Sequence, residues 1–255
     1  MTYYSPYGAQ LRPSCYCLLK CNCNQPVHLP VHHPVHHIHH YRPSSSQVLP
    51  EDNSTVESNN KFKIVVVLDE SGSMGNIRDN MLKSINDLIK EQKEIKERPA
   101  TFTLVKFNDK INRKMENMPL EETRLLTTED YKPEGSTALY DAIGNTVNRF
   151  RNERDVLMVI ITDGQENAST RYTKEYCTQK IDEKKKYNNW SYVYLSCDLN
   201  TAEQGTAMGL KNSSFSTNVQ MPVNMYGDYI SKNLNSAMGN FRKNGVSVQS
   251  QLNHN

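Results

Sequence analysis

Residues 61–245 predict an α/β fold, a mostly parallel sheet in three layers with helices on both faces. Ile64-Val65-Val66-Val67-Leu68 and Val156-Leu157-Met158-Val159-Ile160-Ile161 are apolar runs without polar alternation, as strands buried on both faces require. Between and beyond them, apolar residues recur at spacings of three and four, the pattern of amphipathic helices. Alternation of such strands and helices builds an open, mostly parallel sheet.

The chain has 255 residues, enough for one well-buried domain and additional material. Hydrophobic residues make up 36%, low for a fully globular chain, and the deficit lies in residues 1–60. A net charge of +2 provides no basic face for nucleic acid, so no nucleic-acid partner is expected. Lys184-Lys185-Lys186, the one dense basic run, is expected to be a solvated helix face. No apolar run reaches the roughly 18–20 residues of a transmembrane segment. The N-terminus lacks a basic region followed by an apolar one. The expectation is a cytoplasmic protein, with Cys177 and Cys197 as buried free thiols.

Residues 1–60 read as a disordered, low-complexity Cys/His/Pro/Ser-rich tail and linker. Cys15, Cys17, Cys21 and Cys23 place four thiols within nine residues, and His28, His32, His33, His36, His37, His39 and His40 follow. Thiolates and imidazoles suit zinc, copper(I) or nickel. The spacing is C-x-C, however, not the C-x2-C of a structural zinc site. A biased segment that binds metal loosely is therefore the favoured reading. The alternatives are a zinc region at Cys15, Cys17, Cys21, Cys23, His32, His33, His36 and His37, or S-acylation of the cysteines. Residues 246–255 are expected to be a second disordered tail.

The first strand spans about Phe62–Leu68 and ends at Asp69. A Ser71-Gly72-Ser73 turn leads to a helix over Asn76–Lys96, with Ile77, Met81, Ile85, Leu88 and Ile89 on one face. Thr101–Phe107 is a strand, and Ile111–Met115 is expected to return antiparallel at the sheet edge. Residues 116–134 are polar, with a short helical piece expected near Thr127–Tyr131. A helix with Leu139, Ile143, Val147 and Phe150 on one face places Thr137 at its start, able to cap it or to meet a ligand. Strand Val156–Ile161 ends in Thr162-Asp163-Gly164. A helix over Thr173–Tyr187, a strand over Trp190–Leu195, a helix over Thr201–Met208, a strand over Ser214–Thr217 and a helix over Met225–Phe241 complete the domain.

Asp69, Ser71, Ser73, Thr137 and Asp163 should meet at the carboxyl edge of this sheet, where ligands bind in open α/β folds. Two carboxylates and three hydroxyls form an all-oxygen set, suited to magnesium, with manganese as an alternative occupant. No Cys or His is expected nearby to favour zinc. A metal-dependent hydrolase or phosphotransfer enzyme is the alternative use of such a site. A strand ending in Asp also opens the haloacid-dehalogenase phosphatases, which need a second Asp two residues on. Ser71 stands there and cannot act as a general acid at neutral pH. No phosphate loop, dinucleotide turn or nucleophile elbow occurs. A non-enzymatic protein is expected.

Asp69-Glu70-Ser71-Gly72-Ser73 resembles the D-x-S-x-S motif of von Willebrand factor type A (vWA) domains. The resemblance extends to Thr137 in Gly135-Ser136-Thr137-Ala138-Leu139-Tyr140-Asp141-Ala142 and to Asp163 in Ile161-Thr162-Asp163-Gly164. Together these look like a complete metal-ion-dependent adhesion site (MIDAS), and the resemblance covers about 61–245. It implies a Rossmann-like sandwich with one antiparallel edge strand. It also implies that Ser71 and Ser73 ligate magnesium directly, that Thr137 does so once a ligand is bound, and that Asp69 and Asp163 act largely through water. The partner would be a protein presenting Asp or Glu to the metal. The single-domain form resembles the intracellular branch of the family, so assembly or regulation of other proteins is expected over adhesion.

Overall fold

The structure is a computed structural model that describes residues 61–212 and 216–244. The Cys/His-rich segment, including the proposed second metal region, and the C-terminal segment 246–255 lie outside the described residues.

Among the described residues six strands form one sheet: β1 (Phe62–Asp69), β2 (Ala100–Phe107), β3 (Ile111–Pro119), β4 (Val156–Ile161), β5 (Ser191–Ser196) and β6 (Ser216–Gln220). Their order is β3-β2-β1-β4-β5-β6. Only β2 and β3 pair antiparallel. The expected mostly parallel sheet with an antiparallel edge strand is therefore observed. From β1 the chain winds one way through β2 and β3, then returns to β1's other side at β4. The strand order thus reverses between β1 and β4, and open α/β sheets bind ligands at the carboxyl ends of the strands at such a point.

The period-2 pleat explains how one apolar strand serves two cores. Ile64, Val66 and Leu68 of β1 point to one face. There they meet Met81, Ile85 and Leu88 of α1 (Arg78–Lys93), and Ile230, Leu234 and Met238 of the last helical segment. Val65 and Val67 point to the other face. They meet Leu139, Ile143 and Val147 of α2 (Leu139–Arg149), and Cys177 and Ile181 of α3 (Lys174–Asn188). Each such fully buried side chain contributes about 1.5–3 kcal/mol. Helix α4 (Leu199–Ala207) follows β5.

Several local expectations need correction. The first helix begins with a 3-10 turn, Gly72–Ile77, before α1. Residues 127–131 form a turn and not a helix, because the Asp130 carboxylate accepts the N–H and hydroxyl of Thr127 and a bidentate pair from Arg124. The last helix is a run of α5 (Tyr226–Tyr229), a π turn (Ile230–Leu234) and α6 (Asn235–Asn244). Tyr226, Ile230, Leu234, Met238 and Arg242 are all buried. Steps of four drift about 40° each around an α-helix, and the wider π turn corrects that drift so that all five face inward.

Lys184-Lys185-Lys186 is also not a simple solvated face. Lys184 is buried, with Nζ donating to the Arg151 carbonyl at 2.6 Å. Lys185 lies over the Tyr192 ring and donates to the Gly209 carbonyl. Their aliphatic stems cover apolar surface while the ammonium groups find carbonyl oxygens. Among the described residues no helix is long and apolar enough to cross a membrane.

Candidate metal centre

Strand β1 carries Asp69 to the carboxyl edge of the sheet, and its neighbour β4, in register through Leu68 and Ile161, delivers Thr162 and Asp163 beside it. Asp69 is fully buried. Its Oδ1 accepts the Ser71 N–H at 2.7 Å and its Oδ2 accepts the Thr162 hydroxyl at 2.7 Å. The Ser71 and Ser73 hydroxyl oxygens lie 3.2 Å apart, and Ser73 Oγ donates to Asp163 Oδ1 at 2.6 Å. Four of the five expected residues are thus linked in one hydrogen-bonded set.

Thr137, the fifth, arrives from the segment before α2. The helix starts at Leu139 with Ala138 as its N-cap and no side-chain cap bond. The capping reading of Thr137 therefore fails: the helix begins two residues too late for its hydroxyl to serve. Thr137 instead faces Gly164, where an added Cβ would stand 3.0 Å from Thr137 Oγ1. Gly164 permits a close approach between the loop carrying Asp163 and the Thr137 hydroxyl.

Burial raises the Asp69 carboxyl to about 6; the Ser71 and Thr162 hydrogen bonds oppose this and the Asp163 charge adds to it. Asp163 is raised too, again by burial, with the Ser73 bond opposing. Two carboxylates with penalised charge, side by side and surrounded by hydroxyl oxygens, suit a hard divalent cation, which would favour their ionised forms. Among the described residues no three His, Cys, Asp or Glu groups could hold a metal by themselves, so hydroxyls are needed to complete a donor set. The residues present fit such an ion: Ser71, Ser73, Thr137, Asp69 and Asp163 would hold it, and it would supply an electrophilic centre for an anionic ligand.

One sulfur does lie close by, against expectation. Cys197 Sγ donates to the Asp163 carbonyl at 2.7 Å, because β5 runs beside β4 and Cys197 follows its last residue. Cys177 is buried as expected, whereas Cys197 is only partly so, and both are free thiols.

Four supporting residues were not singled out from the sequence. Thr162 bonds Asp69, and a hydroxyl at the end of an apolar strand was a legible hint. Glu70 lies inside the first motif but is buried. Its Oε1 accepts from Lys106 Nζ at 2.5 Å and from the Lys132 N–H at 2.6 Å. Tyr131 donates its hydroxyl to the Asp69 carbonyl at 2.7 Å. Asn167 contacts Thr137 from 30 residues away, and no sequence signal marks it.

An open α/β domain with a set of oxygen-bearing side chains at its switch point defines the class of protein. The von Willebrand factor type A domain model matches residues 63–218, and the chain belongs to that family. No curated protein matches it. Solved structures with a similar fold include the PilB minor pilin from Streptococcus sanguinis, 13% identical, covering 75% of this chain and 63% of that one at a TM-score of 0.54. The ArnB paralog VWA2 from Sulfolobus acidocaldarius is 15% identical over 69% of this chain and 45% of that one, with a TM-score of 0.46. Manganese-loaded Plasmodium vivax TRAP protein is 16% identical over 68% of this chain and 72% of that one, with a TM-score of 0.45. The chain therefore spans less than two thirds of the pilin and of VWA2.

Proposed function

We propose that this chain is a magnesium-dependent protein-binding module. Asp69, Ser71, Ser73, Thr137 and Asp163 form a complete metal-ion-dependent adhesion site, and the bound ion captures an Asp or Glu side chain of a partner protein. Manganese is an alternative occupant. The observation that carries this reading is the hydrogen-bonded set running from Asp69 through Ser71 and Ser73 to Asp163, with the Thr137 hydroxyl against Gly164. Hydroxyl ligands add no charge, so a divalent ion among them keeps affinity for an outside carboxylate. The role is binding and not catalysis: Ser71 stands where a phosphatase of this topology needs a general acid.

Thermal denaturation with and without magnesium tests the reading. A ligand that binds only the folded state adds about 2.7 kcal/mol at about 100-fold its Kd. Wild-type protein should gain several degrees in Tm on adding magnesium or manganese, and Asp69→Ala should gain none. An equal metal response in the two proteins would remove the site from consideration.

A further inference from the structure

Thr137 lies in a segment without regular structure, yet both of its main-chain groups are fixed. Its N–H donates to Asn167 Oδ1 at 2.9 Å. Its carbonyl accepts the Asn167 N–H at 3.0 Å. One residue therefore holds the peptide groups on both sides of the Thr137 side chain. Neither bond belongs to α2, which starts at Leu139.

Asn167 is itself on the loop that follows Asp163. That loop is only partly exposed and is not loose. The Glu166 N–H donates to Gln204 Oε1 at 2.7 Å on α4. Glu166 Oε1 accepts the N–H groups of Ala168 and Ser169, and Oε2 accepts the Tyr140 N–H of α2. The residue beside Asn167 is thus tied to two helices, so the grip on Thr137 comes from an anchored point. Gly164, on the same loop, supplies the close approach to the Thr137 hydroxyl.

We infer that Asn167 is the positioning residue that fixes the Thr137 hydroxyl against the Asp163-Gly164 loop, so that Thr137 and Asp163 reach the metal as one unit. The inference rests on the metal-binding reading given above. Asn167 touches the ion through no atom of its own; it acts through the main chain of Thr137. Residues that orient metal ligands in this way typically carry about 10–100-fold in metal affinity. Because Asn167 is exposed, its truncation removes little packing, and loss of its bond to the Thr137 N–H costs about 0.5–1.5 kcal/mol.

The test compares the full-length wild type, Asn167→Ala and Asn167→Asp in three measurements. These are manganese affinity from the free-ion signal in electron paramagnetic resonance, Tm in chelator, and amide hydrogen exchange at Thr137. Asn167→Ala should weaken manganese binding at least about tenfold and speed exchange at Thr137, with Tm in chelator lowered by only a few degrees. Asn167→Asp keeps an Oδ1 acceptor and should restore both the slow exchange and most of the affinity. Asn167→Ala that binds manganese as the wild type does overturns the proposal. So does an affinity loss matched by a large fall in Tm in chelator that Asn167→Asp does not repair, since that marks a merely structural role. A wild-type chain indifferent to manganese overturns the metal reading itself, and this inference with it.

Discussion

The loop that leaves β1 is held by buried groups, whereas the loop that leaves β4 is held by polar side chains near the surface. Beneath Asp69–Ser73 lie the buried Glu70–Lys106 pair and the fully buried Tyr131. The Glu70 N–H also donates to the Phe107 carbonyl at 2.6 Å, and its carbonyl accepts the Glu134 N–H at 2.8 Å. The second loop, residues 163–172, hangs on Glu166, Asn167, Gln204 and Asp141. The Asp141 carboxylate accepts the N–H groups of Thr170, Arg171 and Tyr172. Water competes for such bonds, and each contributes only about 0.5–1.5 kcal/mol net. One half of the site therefore forms with the core. The other half is a local assembly that can fail while the fold survives.

Breaking the buried side should have the largest effect. Lys106→Met leaves the Glu70 carboxylate buried without its counterion, which costs about 3–5 kcal/mol. Tm in chelator should fall by on the order of 10 °C. A double variant with Glu70→Leu as well should recover much of that loss, since apolar replacements remove the unpaired charge. If Lys106→Met alone leaves Tm unchanged, the buried pair does not brace the first loop.

A smaller effect is expected where the second loop meets α2. An added Cβ at Gly144 would stand 2.5 Å from Tyr172 Cγ. Gly144→Ala improves helix propensity by about 1 kcal/mol, but overpacking costs about 1–3 kcal/mol. The net change in chemical denaturation should be modest. Amide exchange should rise at Thr170–Tyr172, while β1 and β2 stay protected. Uniform loss of protection across the sheet would show that the two loops are not separate units.

Asp130 should give the smallest effect. The Arg124 pair, joined by the Thr127 donors, holds its carboxyl well below the usual carboxylate range, against the opposing influence of burial. A lowered folded-state pKa stabilises the fold above the unfolded pKa of about 4, and that contribution is lost as pH falls through the folded value. The Arg124 head is half exposed, so screening limits the pair. Asp130→Asn should cost about 1 kcal/mol at neutral pH. Its urea-unfolding free energy should also depend less on pH below about 4 than that of the wild type.

Much of the site was legible because strand ends announce themselves. An apolar run that stops at Asp69, and another that stops at Thr162-Asp163-Gly164, need no tertiary information to be read as two corners of one edge. Thr137 was legible as a position but not as a role, since only the late start of α2 shows that its hydroxyl caps nothing. Glu70, Tyr131 and Asn167 were not legible. Their meaning depends on partners 36, 62 and 30 residues away, and hydrogen bonds over such separations leave no periodic trace.

The chain alone determined the alternation of strands and helices, the parallel sheet and the five oxygen-bearing residues at its carboxyl edge, because burial on both faces imposes a local pattern of apolar residues. Tertiary structure alone decided how those residues are held. It buried Glu70 on Lys106, brought Cys197 to Asp163, turned Lys184 and Lys185 inward and set Asn167 on Thr137. Each of these depends on which strands become neighbours and on how far the chain bends between them, and side-chain pairing across the sheet is settled only when it closes.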